Sequence, residues 1–402
     1  MSLWRLVGQS LRQHALSTVI TSLSIALAAG LLMAVWVVRD QAQATFTQMD
    51  SGFDAVLGSR SSKLQLVLNA VFHLEASPAN IAWADFEEIQ RHPGVAFAVP
   101  IAMGDNFRGY RVVGTLPEML SRQEFAPGRK HEIRLPGRVF DPTLREAVVG
   151  SFAAERLGLS FGSRFRPYHG LNFDASHEHE EEYVVVGVLK PSNTPADKVL
   201  WIPLEGLQRM SGHAEETATQ ISAVLVRLRG PAAGPALDQA YNKKGTRLTF
   251  AWPIGATMAE LFNKIGWFDQ VLTLVAGLVA IVAAGSVMAS IYNSMNERRR
   301  QIAILRALGA RRSIVARLVV LEAVAITALG ALAGFVVYGV IFAGTAAILR
   351  AQTGVVLDVT VLHPVLLWAP MGFLGLGALA GIVPALKAYR TDVASNLVPG
   401  QD

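Results

Sequence analysis

The stretch Asp174-Ala175-Ser176-His177-Glu178-His179-Glu180-Glu181-Glu182 concentrates imidazole and carboxylate groups just ahead of residues 183–189, an apolar run whose valines predict a strand. If that strand begins early, alternation at a period of two puts His177, His179 and Glu181 on one face, and an H-x-H pair on a strand can supply two ligands to one zinc ion. Zinc needs a third or fourth ligand, for which His169, Asp174, His131 and His213 are the candidates in the sequence. The competing reading is a solvated acidic loop that holds nothing, since a short His-rich tract is compositional evidence only. A membrane-anchored external hydrolase on the same residues is disfavoured: H-E-H is not H-E-x-x-H, and the sequence has no G-x-S-x-G elbow. It also has no cysteine, which removes disulfides, zinc-thiolate sites and thiol nucleophiles.

A second ionisable candidate is Glu322, in an otherwise apolar run roughly 12 Å into a helix that starts near Ser313, at about 1.5 Å rise per residue. A carboxylate at that depth is a functional candidate by default. The alternative is that it reaches the inner interface or pairs with Arg317.

The elements that must position these groups follow from hydropathy. The chain of 402 residues is 51% hydrophobic and only 17% charged, too apolar for an ordinary soluble protein. The surplus is clustered. Residues 16–38, 271–292, 318–349 and 361–388 each reach the ~20 residues a helix needs to cross hydrocarbon. The first run exceeds the roughly 7–15-residue core of a cleaved signal and is expected to stay as a span.

The expected organisation is an interfacial amphipathic helix at 1–14 and a first span at 15–38. An external domain with helical stalk extensions occupies 39–266, followed by a second span at 267–292 and an inner loop at 293–315. A third span at 316–349, a short outer loop at 350–360, a fourth span at 361–388 and an inner tail at 389–402 complete the chain. Within the external part, Trp83–Arg91 reads as a helix and residues 95–101, 110–114, 183–189, 199–202 and 221–228 read as strands, which predicts an α+β domain. The fold class is therefore a membrane protein of four transmembrane α-helices with a large α+β domain between the first and second spans.

Charge sets the orientation. A net charge of +5 raises the question of nucleic acid, but Arg298, Arg299, Arg300, Arg306, Arg311, Arg312 and Arg317 crowd between the second and third apolar runs. Arginine beside a span marks the cytoplasmic side and binds anionic lipid. Both termini and the 293–315 loop are thus expected inside and the large domain outside, with no nucleic-acid partner.

Residues 297–315 read ERRRQIAILRALGARRSIV. Ile302, Leu305 and Leu308 share a helix face, and Gly309 is a plausible residue just past its end. This segment resembles the signature of the FtsX-like permease domain, shared by the MacB, LolC and FtsX transporters, with Glu297, Arg298, Ile302, Leu305, Arg306, Ala307, Gly309 and Ala310 at the motif positions. Glu322 and residues 381–397 near the C-terminus resemble later landmarks of the same family. The resemblance implies the permease subunit of an ATP-binding cassette transporter in the bacterial inner membrane, its large domain periplasmic. It implies that Glu297, Arg298, Ile302, Leu305, Arg306 and Gly309 belong to a coupling helix that docks on an ATPase. The sequence has no G-x-x-x-x-G-K-[ST] phosphate loop, so ATP-Mg is expected on a separate ATPase subunit and the chain itself is expected to be non-catalytic. One copy with four spans implies a homodimer. A periplasmic partner protein is the expectation of the alternative reading, an FtsX-like transmitter that regulates a partner without moving a solute; zinc at the His-rich loop would link the permease to metal.

Overall fold

The computed structural model describes residues 3–48, 52–213, 218–297, 311–358 and 362–390. They divide into two compact units. The first comprises Met1–Gln41, Ile265–Ala346 and Asp358–Asp402; the second comprises Ala42–Lys264 and Ala347–Leu357.

Among the described residues, four helices are long and apolar enough to cross a membrane: Ala15–Gln48, Ile254–Glu297, Arg312–Thr353 and Val365–Arg390. A shorter helix, Leu3–Gln13, precedes them. In the first unit Ile25, Ala29 and Met33 pack with Val287, Val319, Ala323 and Phe373. Small residues set how closely the helices meet: a Cβ on Gly330 would lie 2.6 Å from the Cβ of Ile25, and one on Gly381 would lie 2.8 Å from that of Ala323. The opposite faces, including Ile281, Val282, Leu332, Val336 and Val340, stay exposed, as a hydrocarbon environment permits.

The second unit is built on one mixed sheet. Its strands, in chain order, are β1 (Ala55–Ser59), β2 (Ile81–Ala82), β3 (Val95–Phe107), β4 (Tyr110–Thr115), β5 (Glu124–Ala126), β6 (Arg129–Lys130), β7 (Glu146–Val149), β8 (Arg164–Phe165), β9 (Tyr168–His169), β10 (Tyr183–Val188), β11 (Leu200–Pro203), β12 (Gln220–Ile221), β13 (Ala223–Leu228) and β14 (Leu248–Ala251). Ten of them form the order β14-β1-β13-β3-β4-β11-β7-β10-β8, with β9 paired to β3 off this path. The β10–β7 and β11–β4 pairs are parallel and the remaining pairs in this sheet are antiparallel.

The sheet is covered on both faces. Leu57, Val112, Val149, Leu200 and Ile202 point to a core with the helix Trp83–Arg91, while Val56, Val113, Val148 and Trp201 point to a second core with Leu66 and Val67 of the helix Lys63–Ala70. Two-sided burial is why these strands read as continuous apolar runs rather than alternating ones. Phe46 meets Phe72 and Phe262 at centroid distances of 5.2 and 6.0 Å on the second face. Residues 347–357 also pack in this unit: Lys198 Nζ donates to the Gln352 carbonyl at 2.5 Å, and the Arg350 guanidinium lies 5.1 Å from the Phe152 ring centre.

Candidate metal centre

Residue Asp105 sits near the end of β3, just past an irregularity. Against β4, Ala102 faces Gly114 and Met103 faces Val113, but the next pair is Asp105 with Val112, leaving Gly104 as an extra residue. A bulge shifts strand parity by one. Val99, Ile101 and Met103 therefore face the second core, whereas Phe107, of the same odd parity, faces the first. Asp105 turns with Phe107 to that first face and is wholly buried there.

Three imidazoles meet it. β9 pairs antiparallel with β3 so that His169 stands opposite Asp105, and Tyr168 stands opposite Asn106. Buried Asn106 holds the turn that follows, donating from Nδ2 to the carbonyls of Gly170 and Asn172 at 2.8 and 3.1 Å. The chain then folds back. His169 N–H donates to the His177 carbonyl and His179 N–H to the Pro167 carbonyl, which lays His179 beside His169. The fourth residue, His213, comes from the turn after the short helix Leu204–Gln208; that turn includes Gly212 at φ +85, a conformation natural to glycine.

Asp105 Oδ1 is 3.2 Å from His179 Nε2, 3.2 Å from His213 Nε2 and 3.5 Å from His169 Nδ1. One ligand atom from each of the four residues lies within 4.8 Å of the others, a set able to hold a metal ion. The three rings stand edge to face, with centroids 5.1 to 5.5 Å apart. Asp105 Oδ2 is buried with no hydrogen-bond partner among the described residues. Leaving a buried carboxylate oxygen unpaired costs several kcal/mol in general, so the group calls for a cation.

The support around the site fixes one tautomer. His179 Nδ1 lies 2.6 Å from the Ser211 carbonyl, which can only accept, so Nδ1 carries the hydrogen and Nε2 is left to face Asp105. Ser211 is itself held by Glu181, which accepts from its N–H at 3.1 Å and its hydroxyl at 2.8 Å. Burial pushes the Asp105 carboxyl up, but the hydrogen bonds and charge of His179 and His213 outweigh it and hold the carboxyl below its ordinary value. Burial alone would make His179 less basic; its bond to Asp105 reverses this and leaves it more basic than usual. His169 goes the other way, because burial and the neighbouring imidazoles outweigh the pull of Asp105.

Of the residues singled out in the sequence, His169, His179 and His213 come together here, while His177 and Glu181 do not reach the centre. The strand begins at Tyr183, so residues 177–182 lack the strand alternation that would align them. His177 is exposed and bonded to Asp174, and Glu181 supports Ser211 instead of facing an ion. His131 is buried elsewhere, against Phe125 at 5.0 Å. Asp105 itself was readable only through a weak signal, a glycine followed by two polar residues inside an apolar strand. Glu322, in the first unit, is buried and accepts a hydrogen bond from Ser10 Oγ. Glu297 closes the helix Ile254–Glu297, and Arg298, Ile302, Leu305, Arg306 and Gly309 lie outside the described residues.

Two family models match the chain: a MacB-like periplasmic core domain over residues 18–243 and an FtsX-like permease C-terminal domain over residues 273–393. The macrolide export ATP-binding/permease protein MacB of Hyphomonas neptunium is 32% identical over 143 residues, 35% of this chain and 20% of that protein. An uncharacterized ABC transporter permease of Bacillus subtilis, YvrN, is 26% identical over 227 residues, 52% of this chain and 53% of that protein. These matches thus span about a fifth and about half of the two relatives' lengths. Among solved structures, the extracellular domain of the ABC-type transporter YknZ from Gram-positive bacteria aligns with TM-score 0.31 at 16% identity, over 49% of this chain and 98% of that one. The periplasmic region of MacB from Actinobacillus actinomycetemcomitans aligns with TM-score 0.36 at 10% identity, over 53% of this chain and 94% of that one.

Proposed function

Because the chain belongs to the ABC transporter permease family that carries a MacB-like periplasmic core and an FtsX-like permease domain, we propose that it transmits ATP-driven motion across the inner membrane to its periplasmic domain. The observation that carries this reading is the continuity of three helices. Ala15–Gln48, Ile254–Glu297 and Arg312–Thr353 each run without a break from residues of the first unit into residues of the second. A helix is stiff along its axis because every turn is hydrogen-bonded to the next, so displacement at one end arrives at the other.

On this reading the ATP is hydrolysed by a separate subunit, the chain works as a homodimer, and both termini and the 293–315 loop are cytoplasmic. Glu297, Arg298, Ile302, Leu305, Arg306 and Gly309 form the coupling helix, apolar positions dividing between membrane and ATPase while the arginines make polar contacts. The cargo is exported or extracted on the periplasmic side, so no water-filled path through the spans is needed. The four apolar helices fit this, since an aqueous path would call for recurring charges.

The test is purification of the tagged chain in mild detergent, identification of co-purifying proteins, and an ATP hydrolysis assay on the complex. A stoichiometric subunit with a phosphate loop is expected, and L305P or the R298A/R306A pair should abolish ATPase stimulation while the periplasmic domain stays folded. Unchanged stimulation in both variants would overturn the coupling assignment. A complex that hydrolyses ATP and alters a periplasmic protein's activity, yet moves no solute, would make the chain a transmitter of the FtsX kind.

A further inference from the structure

We propose that Asp105, His169, His179 and His213 bind one divalent ion of the zinc class, and that the ion enters and leaves through the adjoining cavity past His169. This does not depend on how the chain is coupled to ATP. Zinc bound to imidazole nitrogen and carboxylate oxygen at about 2.0–2.2 Å in a tetrahedron sets its ligand atoms roughly 3.3–3.6 Å apart. The separations of 3.2, 3.2 and 3.5 Å around Asp105 Oδ1 lie close to that range. Hydrogen bonds alone also allow contacts of 3.2 Å, but they require a second proton on His179. With Nδ1 of His179 spent on the Ser211 carbonyl, a neutral ring turns the Nε2 lone pair toward a carboxylate oxygen. That contact is repulsive unless the ring takes a second proton or a cation lies between. His213 Nε2 meets the same oxygen at the same distance, so one carboxylate oxygen faces two imidazole nitrogens at once. A doubly charged ion satisfies all four groups at once.

The donor set also limits the ion. Three imidazoles and one carboxylate suit zinc and its first-row neighbours, whereas magnesium and calcium take oxygen shells and copper(I) favours sulfur. Four protein ligands complete a tetrahedron and leave no position for a reactive water, so the ion is a ligand of the periplasmic domain and not a hydrolytic centre.

Exposure is uneven across the set. The side chains of Asp105, His179 and His213 are 0%, 3% and 9% exposed, whereas that of His169 is 51% exposed. His169 and His213 both line a cavity of about 270 Å³, together with Asn80, Gly104, Gln208 and Ser222. The buried three form the seat and His169 stands at its mouth. A filled site ties β3, the 168–179 fold-back and the turn at 211–213 to one point, so occupancy stiffens that side of the domain.

The test uses the full-length chain in detergent, stripped with a chelator and dialysed against zinc, with cobalt(II) as the spectroscopic probe. Expected are one ion per chain, tetrahedral cobalt absorption, and loss of both in D105N and H179A. H177A should bind as the parent does. H169A, altered at an exposed side chain and so able to fold, should bind at least about tenfold more weakly and release zinc to a chelator faster. A parent chain that takes up no ion, or H169A and H213A that bind like the parent, overturns the site. Loss of binding in H177A would move the ion to the exposed loop and overturn it equally. An unchanged release rate in H169A overturns the exit route.

Discussion

Glu181 does not touch the proposed ion, yet it decides where His179 points. Its two oxygens hold the N–H and hydroxyl of Ser211, whose carbonyl in turn orients the His179 ring. Outer-shell partners of this kind are worth about 10–100-fold in metal affinity. E181A should therefore weaken zinc binding by about that factor without abolishing it, which a competition titration against a chromogenic chelator would measure. Two histidines outside the centre make the domain sensitive to acid. Burial, with Arg111 nearby, lowers His73 to about 3, and burial lowers His131 to about 4. Both are neutral when folded and gain a proton more readily when unfolded. Below the ordinary imidazole value near 6.5 the unfolded chain binds more protons, so stability falls as pH drops through that value and goes on falling toward the folded pKa. At pH 4.5 each should cost about 2–3 kcal/mol relative to pH 7. Thermal melts followed by tryptophan fluorescence at the two pH values should show the drop, and H131L should make it smaller.

At the scale of the element, the bulge at Gly104 is what brings a carboxylate to the imidazoles. Gly104 is not needed for its backbone freedom or for space, since a Cβ there would meet nothing within 4 Å. Its contribution is one extra residue in the register. G104A should therefore keep zinc binding, while deletion of Gly104 should return the strand to its earlier parity, turn Asp105 toward the opposite core and abolish binding. Dialysis against zinc separates the two outcomes, and G104A controls for simple loss of fold. The 168–179 segment is a second such element. It is held by the β9–β3 pairing and by Asn106, so His169 and His179 approach each other through backbone bonds rather than through strand alternation.

For the whole molecule, the two units have separate cores. One cluster joins the long helices around Ile25, Val287 and Ala323, and two others lie on the faces of the sheet. Sites with no shared partners add nearly independently. R298A/R306A should leave zinc affinity unchanged, and D105N should leave recovery of an ATPase partner unchanged; parallel dialysis and co-purification on the same preparations would check both. A change in one function caused by the other variant would mean the units are energetically linked at rest. Residues 347–357 bear on this, because Arg350 and Gln352 sit in the sheet-bearing unit although they belong to the same helix as Glu322.

Sequence alone carried the four apolar runs, the arginine-rich 293–315 segment, the mixed domain between the first two runs and the family resemblance. These are properties of contiguous residues: hydrocarbon requires about 20 apolar residues in a row, and a motif is read along the chain. The strands read at 95–101 and 183–189 were visible because burial on both faces leaves unbroken apolar runs, whereas the polar continuation of the first to Phe107 was not. The candidate metal centre was partly legible. His169 and His179 were named in or beside the histidine-rich tract and His213 as a distant candidate ligand, but His177 and Glu181 were named where Asp105 belongs. Only the tertiary structure could bring in Asp105, which lies 74 positions from His179 and 108 from His213. The pairing of β9 with β3, a one-residue bulge and a glycine turn bring those four residues to one point, and none of these contacts has a local signature in the chain.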